Sequence, residues 1–171
     1  MNTLISANDI TALWLTLKLA VISTVILMLI GIPTAWRLAR SRNRIKPFIE
    51  TLITLPLILP PTVIGFYLLI SFAPDSVLST FWQSVFNAEL AFSFHGLVLG
   101  SVIYSLPFAV QPLQRSFEQI STRQLFTATT FGAGFLDRFF CVVLPHARAA
   151  LIGSAAISFA HTIGEFGIVL M

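Results

Sequence analysis

Long apolar stretches alternate with short polar interruptions along this chain. Apolar residues dominate from about Ile10 to Trp36, Phe48 to Phe72, Phe94 to Leu113 and Ala147 to Met171. A helix needs about 20 such residues to cross a hydrocarbon core roughly 30 Å thick, and each stretch reaches that length. The stretches are apolar all round rather than striped, which separates them from the helices of a soluble bundle. The pattern predicts an all-α integral membrane protein with about four transmembrane helices in one domain spanning residues 1–171.

The polar interruption from Arg115 to Pro145 is too long for a simple turn. Ser121 followed three residues later by Gln124 has the spacing of a capping box, so a short helix is predicted to start there. Gly132 supplies the left-handed residue that ends such a helix. A second short helix is predicted with Phe135, Leu136, Phe139, Phe140 and Val143 on one face, stopped by Pro145. Two short amphipathic helices hinged at a glycine between spans imply a docking surface, with the loop bounded at about 115–148.

Composition sharpens the class. Hydrophobic residues make up 56% of the chain and charged residues 10%, against about 25% charged in soluble domains. The mean hydropathy is +0.89. The net charge of +3 does not indicate nucleic acid, because of where the charges fall. Arg37, Arg40, Arg42, Arg44 and Lys46 follow the first span, and Arg115, Arg123, Arg138 and Arg148 flank or occupy the long loop. The opposite-side segments hold Asp9, Asp75 and Glu89. This positive-inside bias predicts an external N-terminus, with residues 37–47 and 115–148 in the cytoplasm and 73–94 outside. Phe81, Trp82 and Phe86 in that outer segment suit a short interfacial helix.

Candidate chemistry is sparse. The single Cys141 excludes an intrachain disulfide and a cysteine metal cluster. No Gly-x-x-x-x-Gly-Lys-Ser/Thr phosphate loop occurs in the chain. No catalytic, metal or cofactor site is expected. The first apolar stretch is too long for a signal-peptide core and lacks a basic leader. Lys18, about two turns inside the first span, reads first as snorkelling to the outer interface and second as a residue with a role in transport. The second span contains Pro56, Pro60 and Pro61 beside Thr62 and Gly65. Proline removes a backbone donor and clashes with the preceding turn, so a break is predicted at Pro60–Pro61–Thr62. It reads either as a pathway wall or as a kink for packing. In the fourth span, His161 and Glu165 are four apart on one helix face. They form either a buried helix contact or part of the pathway, and one His with one Glu cannot complete a zinc site.

The long loop resembles the cytoplasmic coupling loop of ATP-binding-cassette importer permeases. The family pattern of Glu-Ala-Ala, three residues, Gly, nine residues, an aliphatic, one residue and Leu-Pro falls on Phe126, Thr127, Ala128, Gly132, Val142, Leu144 and Pro145. Phe126 and Thr127 depart from the family's Glu and first Ala. By this resemblance Thr122, Leu125, Phe126, Ala128, Gly132, Ala133, Leu144 and Pro145 would dock the ATPase. Leu55-Pro-Leu-Ile-Leu-Pro-Pro-Thr-Val-Ile-Gly65 and Gly164-Glu-Phe-Gly167 resemble the branch that serves molybdate and tungstate, with sulfate permeases nearby. The resemblance implies an inner-membrane subunit of a type I importer, paired with a second permease copy, a cytoplasmic ATPase and an external substrate-binding protein. Permeases of that branch continue beyond Gly-Glu-Phe-Gly through at least one further span, so this chain reads as shortened at its C-terminus. A membrane protein that keeps the docking loop without transporting is the alternative.

Overall fold

The computed structural model describes residues 7–164, all of whose regular elements are helical. The first, α1 (Ala7–Arg40), runs 34 residues without interruption. At 1.5 Å per residue it is about 50 Å long, so it crosses a bilayer and projects beyond it. The predicted third span becomes α5 (Phe94–Gln119), 26 residues long. It continues past the predicted end at Leu113, so Arg115–Gln119 belong to the helix and not to the loop. Pro107 and Pro112 lie inside it without ending it. The last described helix, α9, is Arg148–Gly164. Glu165, and with it the end of the predicted fourth span, lies outside the described residues.

Helices α1, α5 and α9 pack on one another to form the core. Ala20, Ser23, Leu27, Gly31, Ala35 and Leu38 of α1 are buried at steps of three and four, with Leu19 beside the first, the period that keeps one helical face inward. They meet Val102, Ala109, Val110 and Leu113 of α5. The buried residues of α9 are Ser154, Ser158 and Thr162, all small hydroxyls. Lipid tails are as apolar as leucine, so helices in a membrane gain by close van der Waals approach, which small residues permit. Gly31 shows this directly: a Cβ there would lie 3.3 Å from that of Ala109. The outer face of α1, with Leu13, Trp14, Val21, Val25 and Leu29 exposed, is as apolar as the inner one. That face suits hydrocarbon, not water.

The predicted second span is not one rod. It divides into α2 (Lys46–Ile58) and α3 (Pro61–Ser71), bent by 109° at Leu59–Pro60. Leu59 and Pro60 are extended, with ψ of 138° and 141°. Residues before proline are pushed out of the helical region, and two consecutive prolines make that unavoidable. Pro61 then begins α3 at its first turn, where a missing N–H costs nothing. Neither half is long enough to cross alone. Beyond α3 comes α4 (Val77–Phe86), the predicted interfacial helix, capped by Ser76, whose hydroxyl accepts from the Ser79 amide at 3.0 Å. Trp82 stacks on Phe86 with centroids 4.2 Å apart. The connection from α4 crosses over the first turn of α5, where a Cβ on Gly96 would come within 2.1 Å of the Leu90 carbonyl oxygen.

Candidate functional site

The segment between α5 and α9 begins with α6 (Thr122–Thr130). Ser121 caps it as its spacing predicts, its hydroxyl accepting from the Gln124 amide at 3.3 Å. The reciprocal half of the box is replaced: the Gln124 side-chain amide lies 3.5 Å from Nε2 of His146. Thr127, Thr129 and Thr130 donate to the carbonyls of Arg123, Leu125 and Phe126, so these hydroxyls are satisfied within the helix. Gly132 ends the element at φ +84° with nothing within 4 Å of where its Cβ would be. Its glycine is required by backbone conformation and not by crowding.

Next comes α7 (Phe135–Arg138), held at its start by the Gly134 amide donating to Asp137 at 3.0 Å. Pro145 does not stop the helix, contrary to the expectation. The chain widens to a π-helical turn over Phe139–Val143 and continues as α8 (Leu144–His146). The Leu144 amide donates back to the Phe139 carbonyl, five residues earlier. A wider turn accommodates a proline ring that an α-turn would push into the preceding carbonyl. The break falls instead at Ala147, where the path bends by 71° into α9.

The five apolar residues expected on one face of this second helix divide between two environments. Val143 is fully buried and Phe139 half-buried, whereas Phe135, Leu136 and Phe140 are at least 60% exposed. The π-turn rotates the later residues relative to the earlier ones, so a single 3.6-residue stripe does not persist. Phe126 and Phe131 are exposed as well, which gives the segment an outward apolar surface on an otherwise polar loop.

Residues that sequence reasoning had read only as charge or as bulk hold the segment in place. Arg40 donates to the carbonyls of Phe117 and Ile120 at 3.3 and 2.9 Å, closing the last turn of α5. Its guanidinium carbon lies 4.8 Å from the Trp36 ring centroid, and Trp36 meets Phe117 and Phe139 edge-on at 5.5 and 5.8 Å. The signal was present: Trp36 and Arg40 are four apart on one helix face. Leu125 of α6 packs on the same cluster. Arg138 donates to the Thr129 hydroxyl at 2.9 Å and ties α7 to α6.

A polar clasp joins α2 to α5 nearby. Lys46 donates to Glu118 at 2.9 Å and lies 3.6 Å from Glu50. The Gln114 amide donates to both carboxylates. Of the candidate coupling residues, Leu125, Ala128, Ala133 and Leu144 are half-buried, while Thr122, Phe126, Gly132 and Pro145 are exposed.

The other candidate residues do not converge with these. Pro60, Pro61 and Thr62 are exposed at the α2–α3 break, and α3 packs against α4 and α5. His161 sits at the α5–α9 contact, with Nδ1 3.0 Å from the Ser105 hydroxyl and its ring 4.0 Å from that of Phe108 and 5.1 Å from that of Tyr104. Its partner in the sequence pattern, Glu165, is outside the described residues. Lys18 is exposed near the far end of the bundle, with its ammonium 5.0 Å from the Phe94 ring centroid. Among the described residues no group of three His, Cys, Asp or Glu side chains could hold a metal ion.

Comparison with known proteins identifies relatives over nearly the whole length. Residues 27–171 match the family described as binding-protein-dependent transport system inner membrane components. The molybdenum transport system permease protein of Azotobacter vinelandii is 51% identical over 98% of this chain and 74% of its own length. The protein of the same description from Haemophilus influenzae is 33% identical over 93% of this chain and 69% of its own. The molybdate/tungstate transport system permease protein of Pyrococcus furiosus is 30% identical over 99% of this chain and 63% of its own.

Proposed function

Because this chain belongs to the binding-protein-dependent transport system inner membrane components, we propose that it carries molybdate or a related oxyanion through the inner membrane. Members of that family are membrane subunits of ATP-driven importers and are not themselves enzymes. Membership implies two partners, an ATPase and a substrate-binding protein. The 51% identity to a molybdenum transport permease carries the choice of substrate. A sulfate transport permease of Salmonella typhimurium is similar at 30% over 58% of its own length, which places sulfate second.

In this reading two copies pair in the membrane and two ATPases dock beneath them. The end of the bundle bearing α6 and α7 faces the cytoplasm, and the N-terminus is external. The ATPase seats on α6 and its hinge, against Thr122, Leu125, Phe126, Ala128, Gly132 and Ala133, with Leu144 and Pro145 setting the path back into the membrane. The exposed rings of Phe126, Phe131, Phe135 and Phe140 provide the apolar contact. What supports this is contact: α6 packs on the Trp36–Phe117–Phe139 cluster through Leu125 and is tied to α7 through Arg138. A force applied to it therefore reaches α1 and α5. The break at Pro60, Pro61 and Thr62, and the His161 contact with α5, are the candidate moving parts of the pathway, with Glu165 beside them in the sequence.

Uptake decides the matter. Cells lacking their own molybdate permease, given this chain with its ATPase and binding protein, are expected to regain molybdate accumulation. Restored sulfate uptake without molybdate uptake would reassign the substrate. Absence of any oxyanion uptake, with all partners assembled, would support a docking protein that does not transport.

A further inference from the structure

Toward the loop end of the bundle, α5 turns one face away from the three-helix core. Phe108, Gln111, Arg115, Ser116 and Gln119 lie on it, and with His146 they line a groove of about 550 Å³. Gln111 is two turns inside the end of α5. An amide and a guanidinium on an open face so near the membrane are costly against hydrocarbon, so this face looks onto water or another subunit.

Its polar side chains are mostly donors. The walls hold one guanidinium and no carboxylate. The adjacent cavity, about 480 Å³, differs: there Glu50 and Glu118 stand against Lys46 and Arg115. Lys46 and Gln114 bond both carboxylates. Lys46 offsets one of those two carboxylates; Arg115 forms no salt bridge among the described residues but interacts electrostatically with Glu118, so its guanidinium is shared between the two sides. The donors of the groove are free of rival bonds. Gln111, Arg115, Ser116 and Gln119 make no side-chain hydrogen bond among the described residues. His146 shapes the wall without donating into it, since Nδ1 faces the Val142 carbonyl at 3.0 Å and Nε2 faces Gln124.

We propose that this groove is a weak holding site for a tetrahedral oxyanion at the loop end of the membrane. Arg115 supplies its charge, and the amides of Gln111 and Gln119 and the hydroxyl of Ser116 supply hydrogen bonds. The inference rests on the oxyanion-import reading and adds to it the place where the anion pauses. Transport demands such weakness, because an ion held tightly does not leave. Glu118 belongs to the adjacent cavity and not to the groove wall, which limits its repulsion of a dianion.

The test uses the assembled permease, ATPase and binding protein in proteoliposomes, in a Cys141→Ala background. Ala149, exposed on the rim of the groove, is replaced as Ala149→Cys and alkylated with N-ethylmaleimide. Millimolar tungstate is the probe and sodium chloride of equal ionic strength the control. Tungstate is expected to slow alkylation several-fold and chloride to leave it unchanged. Arg115→Gln should abolish the protection and lower uptake several-fold, while Arg115→Lys keeps part of both. Equal protection by chloride, no protection by tungstate, or unchanged protection in Arg115→Gln would overturn the site. Protection without uptake would keep the site and discard the import reading, and uptake without protection does the reverse.

Discussion

At the scale of single residues, the decisive side chains are those that satisfy backbone groups at helix ends. Arg40 illustrates this. It leaves α1 beside a cluster of arginines whose collective meaning is topological, yet its own guanidinium closes the end of α5 through Phe117 and Ile120. Without Arg40 the Phe117 carbonyl keeps the Ile120 amide, but the Ile120 carbonyl loses its side-chain donor, and a part-buried carbonyl deprived of a partner costs about 1–3 kcal/mol. Arg40→Ala is therefore expected to lower stability by about that amount, read as an earlier thermal transition in detergent. Arg42→Ala, whose exposed side chain forms no hydrogen bond or salt bridge among the described residues, should leave the transition in place. Equal transitions for the two variants would reduce Arg40 to another topological charge.

At the scale of elements, breaks matter more than rods. The 109° bend at Pro60 turns one of the four predicted spans into paired segments, and the 71° bend at Ala147 sets the loop's second helix at an angle to α9. Gly132 is the third break, between α6 and α7. Its positive φ is strained for any residue with a side chain and most for a β-branched one, at about 1–3 kcal/mol. Since no neighbour lies within 4 Å, Gly132→Val would act through the backbone alone. The variant should insert normally and retain a few-fold to tenfold less ATPase in a pull-down. Wild-type retention would show that the hinge is not part of the docking surface.

At the scale of the molecule, the arrangement rests on three helices, α1, α5 and α9, with α2 clasped to α5 by charge and α3 and α4 at the far end. The proposed orientation in the membrane rests on the basic residues, all but Lys18 of which fall in the segments expected on the cytoplasmic side. Asn43 and Gln83 are exposed at opposite ends of the bundle in this reading. With Cys141→Ala as background, Gln83→Cys should react with an impermeant thiol reagent added outside intact cells, and Asn43→Cys only after permeabilisation. The reversed pattern would invert the orientation.

The sequence alone determined the solvent and the punctuation. Runs of about 20 apolar residues admit little besides membrane helices. Ser121, Gly132 and the proline pair act through their own backbone geometry, so their effects were legible without knowing their neighbours. Only the tertiary structure decided which apolar face is inside, because in lipid both faces of a helix such as α1 are hydrophobic and hydropathy carries no direction. It also decided how the chain passes Pro145. A local rule stops the helix there, but the π-turn lets it continue, with Val143 buried in the core and Ala147 taking the bend. The groove at Arg115 could not be read either. Its residues are spread over α2, α5, α8 and α9, which only the packing of the helices brings together.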